Sequence, residues 1–322
     1  MSHPVANLEN SKKSGTSRTK PSYVILQKES FEDGIKRIVN QQVASAIHHL
    51  TKQPNIHEGV HDARRALKVT RAAYRLIRLD LKKADFSQKN DFYSDIGRQL
   101  SELRDLTALL ETLDIMEKKN PRMRNWKSNH AFRKAVELRR NDSQDHNAPD
   151  QNIILLRKAA AHLLEHRERI NQFQLSNKFT RSVLASLRQV YARGFNAHKD
   201  CQKEQHPESM HEWRKRAKYL RYHFRMLRNV WLEIFTSFEK ELHLLTDYLG
   251  DFNNLSVMRV HLNDSEYELK KSHRSTLLKE AIRRQDQLGQ SALDLGVKLY
   301  TETPKAFERR MKAYFSDQKI LK

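Results

Sequence analysis

Two segments of the chain carry arginine and lysine at the spacing of one helix face, with no acid to balance them. Residues 63–79 contain six Arg or Lys and no Asp or Glu, and residues 213–232 contain seven and no acid. Like charges four residues apart destabilise a helix, so such stripes are unfavourable unless an anion binds them. Arginine outnumbers lysine in both, which suits two-pronged contacts to phosphate oxygens. The residue types therefore predict a site for a phosphate-rich polyanion.

Each stripe follows a histidine by one turn, and the two copies align residue for residue. Residues 61–68 (HDARRALK) correspond to residues 211–218 (HEWRKRAK), and the arginines after each copy recur at the same offset of 150 positions. The next segment repeats as well, because residues 100–107 align with residues 249–256 at an offset of 149. Such self-similarity predicts two related halves of about four helices each, divided near residue 175.

The candidate polyanion-binding residues are the histidine, arginine and lysine side chains that recur in this frame. In the first copy they are His61, Arg64, Arg65, Lys68, Arg71, Arg75 and Arg78. In the second copy they are His211, Arg214, Lys215, Lys218, Arg221, Arg225 and Arg228. Five cations of the first copy share an arc of about 80° on a helix. The two histidines are expected to donate hydrogen bonds to phosphate oxygens, and a bound anion would favour their charged form.

An apolar face is predicted beside each stripe, so that each helix buries one face and presents the cations along its flank. In the first copy the apolar positions are Leu67, Thr70, Tyr74, Ile77 and Leu81. In the second copy they are Trp213, Ala217, Leu220, Phe224, Leu227 and Trp231. The stripes therefore belong to packed helices of a folded core.

The composition predicts a mostly helical protein, since only 8 of 322 residues are Gly and 7 are Pro. Sheet-rich folds use these residues more often to make turns. Residues 1–25 are predicted to be a disordered basic tail, and the polar residues 141–150 a loop. The periodicity predicts helices at 30–52, 57–84, 88–118, 149–174, 178–201, 207–232, 234–262 and 272–300, with short ones at 127–140 and 304–317.

A net charge of +21 restricts the partners to polyanions such as nucleic acid, anionic lipid or polyphosphate. The stripes lack the Asn and Gln side chains that read base edges, and of the aromatic side chains only Tyr222 lies near a stripe. No apolar run is long enough to span a membrane, and residues 1–20 lack the apolar core of a signal peptide. The single cysteine, Cys201, fits a reducing compartment, so we expect a cytoplasmic protein.

Two short motifs suggest other chemistry, and we interpret both as chance matches. His57-Glu58-Gly59-Val60-His61 has the zinc-protease pattern H-E-x-x-H, but the repeat places Pro207 at the position of His57. Residues 266–270 (EYELK) resemble the E-x-E-x-K strand of triphosphate tunnel enzymes, although a helix or connection is expected there. Cys201 is expected to be a buried or inert thiol. The sequence predicts no metal and no cofactor.

The doubled His-x-x-Arg pattern, each copy followed by a Leu-Gly-like helix, resembles the CHAD family, the conserved-histidine α-helical domain. The resemblance implies an all-α fold of two pseudo-twofold-related four-helix bundles, over residues 26–175 and 176–318, whose basic helices face a shared channel. It implies non-catalytic binding of inorganic polyphosphate, often at polyphosphate granules, by the candidate residues. The family's acidic motif resembles residues 104–107 (RDLT). Ser101, Thr107 and Asn254 depart from the family pattern, which weakens a metal or acid–base role there.

Two alternatives come from other functional classes. The net charge and the basic tail fit a general nucleic-acid-binding protein as well. A metal-dependent phosphohydrolase would use His61, His211 and an acid such as Asp105. A competition between polyphosphate and DNA separates the first from polyphosphate binding, and phosphate release with added Mg²⁺ tests the second.

Overall fold

The structure is a computed structural model that describes residues 22–101, 105–146 and 149–316. The described residues form eleven α-helices, which confirms the predicted all-α class. Their bounds are α1 Phe31–Lys52, α2 Ile56–Leu76, α3 Lys83–Gln99, α4 Asp105–Lys119, α5 Lys127–His146, α6 Pro149–Glu165, α7 Phe179–Lys203, α8 Pro207–Met226, α9 Leu232–Asn263, α10 Lys271–Leu299 and α11 Pro304–Phe315.

The two halves of the chain pack their helices in the same way. In the first half α1 packs against α2 and α6, and α2 against α3; in the second half α7 packs against α8 and α11, and α8 against α9. The unbroken α9 corresponds to α3 and α4 together, because α3 begins at Lys83 and α9 at Leu232, 149 positions later. The proposed boundary at residue 175 falls between α6 and α7.

Among the described residues, six helices precede residue 175 and five follow it, where the sequence predicted about four in each half. The predicted helix 88–118 consists of two helices, α3 and α4. The helices predicted as short, at 127–140 and 304–317, are members of the packed bundles: α5 contacts α4 and α10, and α11 contacts α7.

The second helix ends at Leu76, eight residues before the predicted end at 84. The cause is a tertiary contact of the turn that follows it. The carboxylate of Asp80 accepts hydrogen bonds from the backbone N–H of Ser176 at 2.6 Å and from its hydroxyl at 2.7 Å. Ser182 of α7 donates a third at 3.2 Å. These bonds hold the turn after α2 to the start of α7, and periodicity within one helix cannot anticipate them.

Two predicted irregular segments are more ordered than expected. The loop prediction for 141–150 is wrong over 141–146, because α5 continues to His146 and Pro149 is the first residue of α6. The polar stretch has no glycine, and proline at a helix start removes no helical hydrogen bond. Of the predicted tail, 1–21 lies outside the described residues, whereas 22–25 packs against the end of α8. There Ile25 is 1% exposed, and its N–H donates to the carbonyl of Met226 at 2.9 Å.

The predicted apolar faces form the core beside the basic stripes. Leu67 and Tyr74 of α2 are buried, as are Trp213 and Phe224 of α8. Trp231 is an exception at 45% exposed, because α8 ends at Met226 and Trp231 is the N-cap residue of α9. The prediction that each basic helix buries one face and presents its cations beside it is therefore confirmed for both copies.

The E-x-E-x-K segment, residues 266–270, lies between α9 and α10. Residues 265–267 form a short 3-10 helix followed by Glu268 with φ of 45°, so the E-x-E-x-K segment is a connection, as expected. The part of the chain that the structure describes contains no strand. Within that part, no helix is both long enough and apolar enough to cross a bilayer.

Cys201 is buried at the end of α7, as the sequence predicted, and burial raises the pKa of its thiol to about 11. Since the thiolate is the reactive form, the native protein should resist iodoacetamide at pH 8. We expect no carbamidomethylation of the folded chain by mass spectrometry and one equivalent in guanidinium chloride. Rapid labelling of the folded chain would contradict the packing around α7.

Candidate polyanion-binding site

The two basic helices line one cavity of about 680 Å³, which α4 and α9 complete. Seven of the residues predicted from the repeat line it: His61, Arg64, Arg65, Lys68, Arg214, Lys218 and Arg221. The structure thus brings the first half of each stripe together, although the two segments are 150 positions apart in the sequence.

A buried histidine holds α2 and α8 together beside this cavity. His223 Nε2 donates a hydrogen bond to the backbone carbonyl oxygen of Ala72 at 2.9 Å. Burial lowers the pKa of His223 to about 4, so the ring is neutral at physiological pH. An uncharged contact therefore fixes the approach of two helices whose cations would otherwise repel each other.

A second cavity of about 240 Å³ lies between α2 and α3. Arg64 and Lys68 line both cavities, so these two side chains stand where the cavities adjoin. Arg71 lines the second cavity only, opposite Arg98 of α3. The cations of α2 therefore form a continuous row that extends from the cavity between the basic helices into the cavity beside α3.

Burial lowers the pKa values of two cations of the cavity, Lys218 and Arg214. The pKa of Lys218 is lowered from 10.5 to about 6, first by burial and then by the charges of Arg214, Lys68 and Arg221, against a smaller opposite effect of Asp247. Burial likewise lowers the pKa of Arg214. Mutual repulsion between buried cations is the condition that a bound polyanion would relieve.

The close approach of Arg214 to α9 explains the glycine in the second copy of the Leu-Gly-like motif. A Cβ atom at Gly250 would lie 3.3 Å from Arg214 Nη2. Most side chains at this position would therefore push the guanidinium away from the helix. The first copy carries Ser101 at the equivalent position, which lines the second cavity.

The α9 side of the main cavity carries carboxylates that partly offset the cations. Asp247 and Asp251 line it, and His243 Nδ1 lies 3.0 Å from Asp247 Oδ2. Burial, together with the negative charge of Asp247, raises the pKa of Asp251. Six Arg or Lys side chains face these two acids, so the cavity keeps an excess of positive charge.

The two repeated histidines occupy different environments. His61 lines the cavity, whereas His211 Nδ1 donates a hydrogen bond to Asn253 Oδ1 at 2.7 Å, and Asn253 itself lines the cavity. Burial lowers the pKa of His211, and Lys215 and Arg214 add to this against the bond to Asn253. A bound anion would act in the opposite direction and favour the imidazolium.

The acid that follows each histidine pairs with the cation three residues later. Arg65 lies 3.9 Å from Asp62, and Glu212 binds Lys215 in the second copy. Lys215 lies outside both cavities and is about half exposed. His211, Arg75, Arg78, Arg225 and Arg228 also lie outside the two cavities.

The C-terminal half of each stripe contacts a residue that sequence analysis missed. Asn90 Oδ1 of α3 accepts hydrogen bonds from Arg71 Nε at 3.2 Å and Arg75 Nη2 at 2.9 Å. In the second copy the carboxylate of Glu239 on α9 lies 3.6, 3.5 and 3.3 Å from Arg221, Arg225 and Arg228. Asn90 and Glu239 are 149 positions apart, so the repeat itself carried the signal that these positions correspond.

The zinc-protease interpretation gains no support from the geometry. His57 Nδ1 lies 3.3 Å from the hydroxyl of Thr107, a residue of α4. In the described ranges, no three His, Cys, Asp or Glu side chains are grouped closely enough to hold a metal ion. Arg104 of the acidic motif lies outside the described residues, as does the side chain of Asp105.

Two comparisons with known proteins identify the family and the fold. The sequence profile of the CHAD domain family matches residues 37–263, which include both stripes and both cavities. The chain is also similar to the crystal structure of the CHAD domain from the plant Ricinus communis, with a TM-score of 0.56 and 16% sequence identity. That match covers 88% of this chain and 97% of the plant chain. No curated protein sequence matches the chain.

Proposed function

The chain belongs to the CHAD domain family, and on that premise we propose that it binds inorganic polyphosphate, without catalysis, in the cavity between α2 and α8. The observation that carries the proposal is the convergence of cations from both repeats on one cavity. A flexible chain of phosphates can enter such a space and contact both helices at once.

The charge balance supports a ligand with dense negative charge. Three cations of the cavity, Lys68, Arg214 and Arg221, lie beside Lys218, which is largely deprotonated at neutral pH. Each phosphate unit that enters would stabilise the charged form of several of these groups. A neutral or weakly charged ligand would leave this repulsion in place.

The lining favours phosphates over bases. Tyr222 is the aromatic side chain of the main cavity, and its ring is buried edge-on against Tyr23, with centroids 5.9 Å apart. Burial raises the pKa of the Tyr222 hydroxyl to about 12. In the second cavity Tyr93 is buried and stacked on Tyr74. Single-stranded nucleic acid binders instead offer exposed rings on which successive bases stack.

Competition between polyanions tests the proposal. We expect long-chain polyphosphate to bind the full chain more tightly than duplex DNA or single-stranded RNA of equal charge at the same salt concentration. The comparison must be made at matched salt, because binding to either polyanion weakens as salt increases. Equal affinity for DNA would contradict the proposal and favour the general nucleic-acid-binding alternative.

The non-catalytic part of the proposal has its own test. Polyphosphate incubated with the protein and Mg²⁺ or Mn²⁺ should keep its chain length on a gel, with no steady release of phosphate. Sustained release at a rate proportional to protein concentration would instead support the phosphohydrolase alternative.

Binding of this kind predicts where the protein accumulates. We propose that it is cytoplasmic and associates with polyphosphate granules. A fluorescently tagged chain should form foci in polyphosphate-rich cells and spread evenly in cells from which polyphosphate has been depleted. Foci that persist after depletion would argue for another partner.

A further inference from the structure

The two stripes correspond in sequence, but they differ in charge at their C-terminal ends. Arg71, Arg75 and Arg78 align with Arg221, Arg225 and Arg228 at an offset of 150. Asn90, which contacts Arg71 and Arg75, corresponds to Glu239, which contacts all three arginines of the second copy. The repeat therefore places a neutral amide in one copy where the other copy has a carboxylate.

In the second half a carboxylate of the protein itself already pairs with the three arginines. The Glu239 side chain is 9% exposed and lies within 3.6 Å of all three guanidinium groups. A phosphate that bound there would have to displace a buried carboxylate and leave it unpaired, which is strongly unfavourable. We therefore expect Arg225 and Arg228 to be structural.

In the first half the contact orients the arginines without cancelling their charge. The Asn90 oxygen accepts from Arg71 and Arg75, and Arg75 also lies 4.4 Å above the ring of Tyr219. Two acids lie near Arg71, but Asp91 accepts a hydrogen bond from the Asn90 amide and Asp95 pairs with Arg98. Both acids are exposed, so water weakens their effect on Arg71.

A residue outside the repeat lies near the arginines at the C-terminal end of α2. Arg193 of α7 is exposed, and its pKa is lowered by partial burial and by the charges of Arg78, Arg216 and Arg75. Across the described part of the chain, no carboxylate forms an ion pair with Arg75, Arg78 or Arg193. The cations therefore accumulate at the C-terminal end of α2.

We propose that polyphosphate leaves the main cavity along the first half only, past Arg71 to the surface formed by Arg75, Arg78 and Arg193. This inference rests on the proposed function, since it assigns a direction to the ligand in the same site. Arg64 and Lys68 line both cavities and connect this surface to the space between the basic helices. Glu239 acts as a specificity-determining residue that keeps the chain out of the equivalent route past α9.

Substitutions at the two corresponding positions test the proposal. Asn90→Glu gives the first half the internal anion of the second, and we expect at least a tenfold loss of polyphosphate affinity. The slope of log affinity against log salt should also fall by between one and two, because fewer cations remain to neutralise phosphates. Glu239→Gln should have the opposite effect on both quantities. The new carboxylate in Asn90→Glu gains two arginine partners, so thermal unfolding should show a folded protein.

Arg193→Glu provides an independent variant away from both carboxylate positions. It should weaken binding by about tenfold, as expected for the loss of one charged contact to phosphate. Arg181→Glu on the same helix is the matched control, because it makes the same charge change at an exposed position of α7. We expect the control to bind within a factor of two of the unchanged protein.

The outcomes separate the inference from the function on which it rests. If the unchanged protein does not bind polyphosphate, both are wrong. If it binds, but Asn90→Glu matches the unchanged protein and Arg193→Glu matches Arg181→Glu in affinity and salt slope, the proposed direction is wrong and polyphosphate binding stands. Equal losses of polyphosphate affinity in Arg75→Glu and Arg225→Glu would also contradict the proposal that the ligand leaves along the first half only.

Discussion

Charge reversal of Lys68 is expected to lower the affinity for long-chain polyphosphate by about 100-fold, equivalent to about 2.7 kcal/mol. This side chain lines both cavities, so a ligand that enters either one passes it. Lys68→Glu removes a charged contact and places a carboxylate in the cavity, where it repels phosphate and can pair with the neighbouring cations. Titration of the full chain at fixed salt measures the change.

Matched variants separate this effect from a general loss of positive charge. Lys279→Glu makes the same substitution at an exposed position of α10, and we expect at most a twofold change there. Lys215→Gln gives a sharper comparison, because Lys215 belongs to the stripe by sequence but pairs with Glu212 outside both cavities. The affinity of Lys215→Gln for polyphosphate should fall by at most threefold. If Lys68→Glu and Lys279→Glu weaken binding equally, the ligand responds to net charge and not to the cavity.

The sequence predicted the elements that hold the site, because their signals are local. Periodic apolar residues predicted α2 and α8, and the repeat predicted that both present a cationic stripe beside a buried face. Both interpretations are confirmed by Tyr74 and Phe224 in the core and by Arg64 and Arg214 in one cavity. The CHAD resemblance is confirmed as well.

The division of the stripe into a cavity-facing part and a paired part could not be predicted from the stripe itself. The absence of acids within residues 213–232 suggested uncompensated charge, yet Glu239 compensates Arg221, Arg225 and Arg228 from the next helix. Similarly, Arg193 joins the cations of α2 through the packing of α7. Charge balance in a helical bundle depends on neighbours in space, and a count along one helix omits them.

Replacement of Lys218 by methionine is expected to stabilise the ligand-free protein while weakening polyphosphate binding. Burial and three neighbouring cations oppose the charge of Lys218, and its stem already lies among the side chains of the cavity wall. Methionine keeps much of the stem volume and removes the amino group. We expect a gain of about 1–3 kcal/mol in the free energy of unfolding at pH 7, measured by urea denaturation.

The sign of the pH dependence follows from the direction of the shift. The folded pKa of Lys218 is about 6, below its ordinary value of 10.5, so between these limits the unfolded chain binds more protons than the folded one. The stability of the unchanged protein therefore rises with pH across this interval. The advantage of Lys218→Met should be greatest below pH 6 and should disappear as pH approaches 10.

Bound polyphosphate should raise the pKa of Lys218, because an anion in the cavity favours the charged lysine. The groups that face Lys218 are Lys68, Arg214 and Arg221, with Asp247 on α9, and the pKa of Lys218 is lowered to about 6. Binding at pH 8 should then take up a proton, and calorimetry in buffers of different ionisation enthalpy measures that uptake.

Lys218→Met should bind more weakly and take up fewer protons, and His211, whose pKa burial lowers, can account for the uptake that remains. His211→Gln is the matched variant, since it removes a histidine of the repeat and leaves Lys218 in place. Equal proton uptake by Lys218→Met and the unchanged protein would show that Lys218 stays neutral in the complex. In that case Lys218 has a structural role beside Arg214 and Arg221, and the affinity comes from the other cations of the cavity.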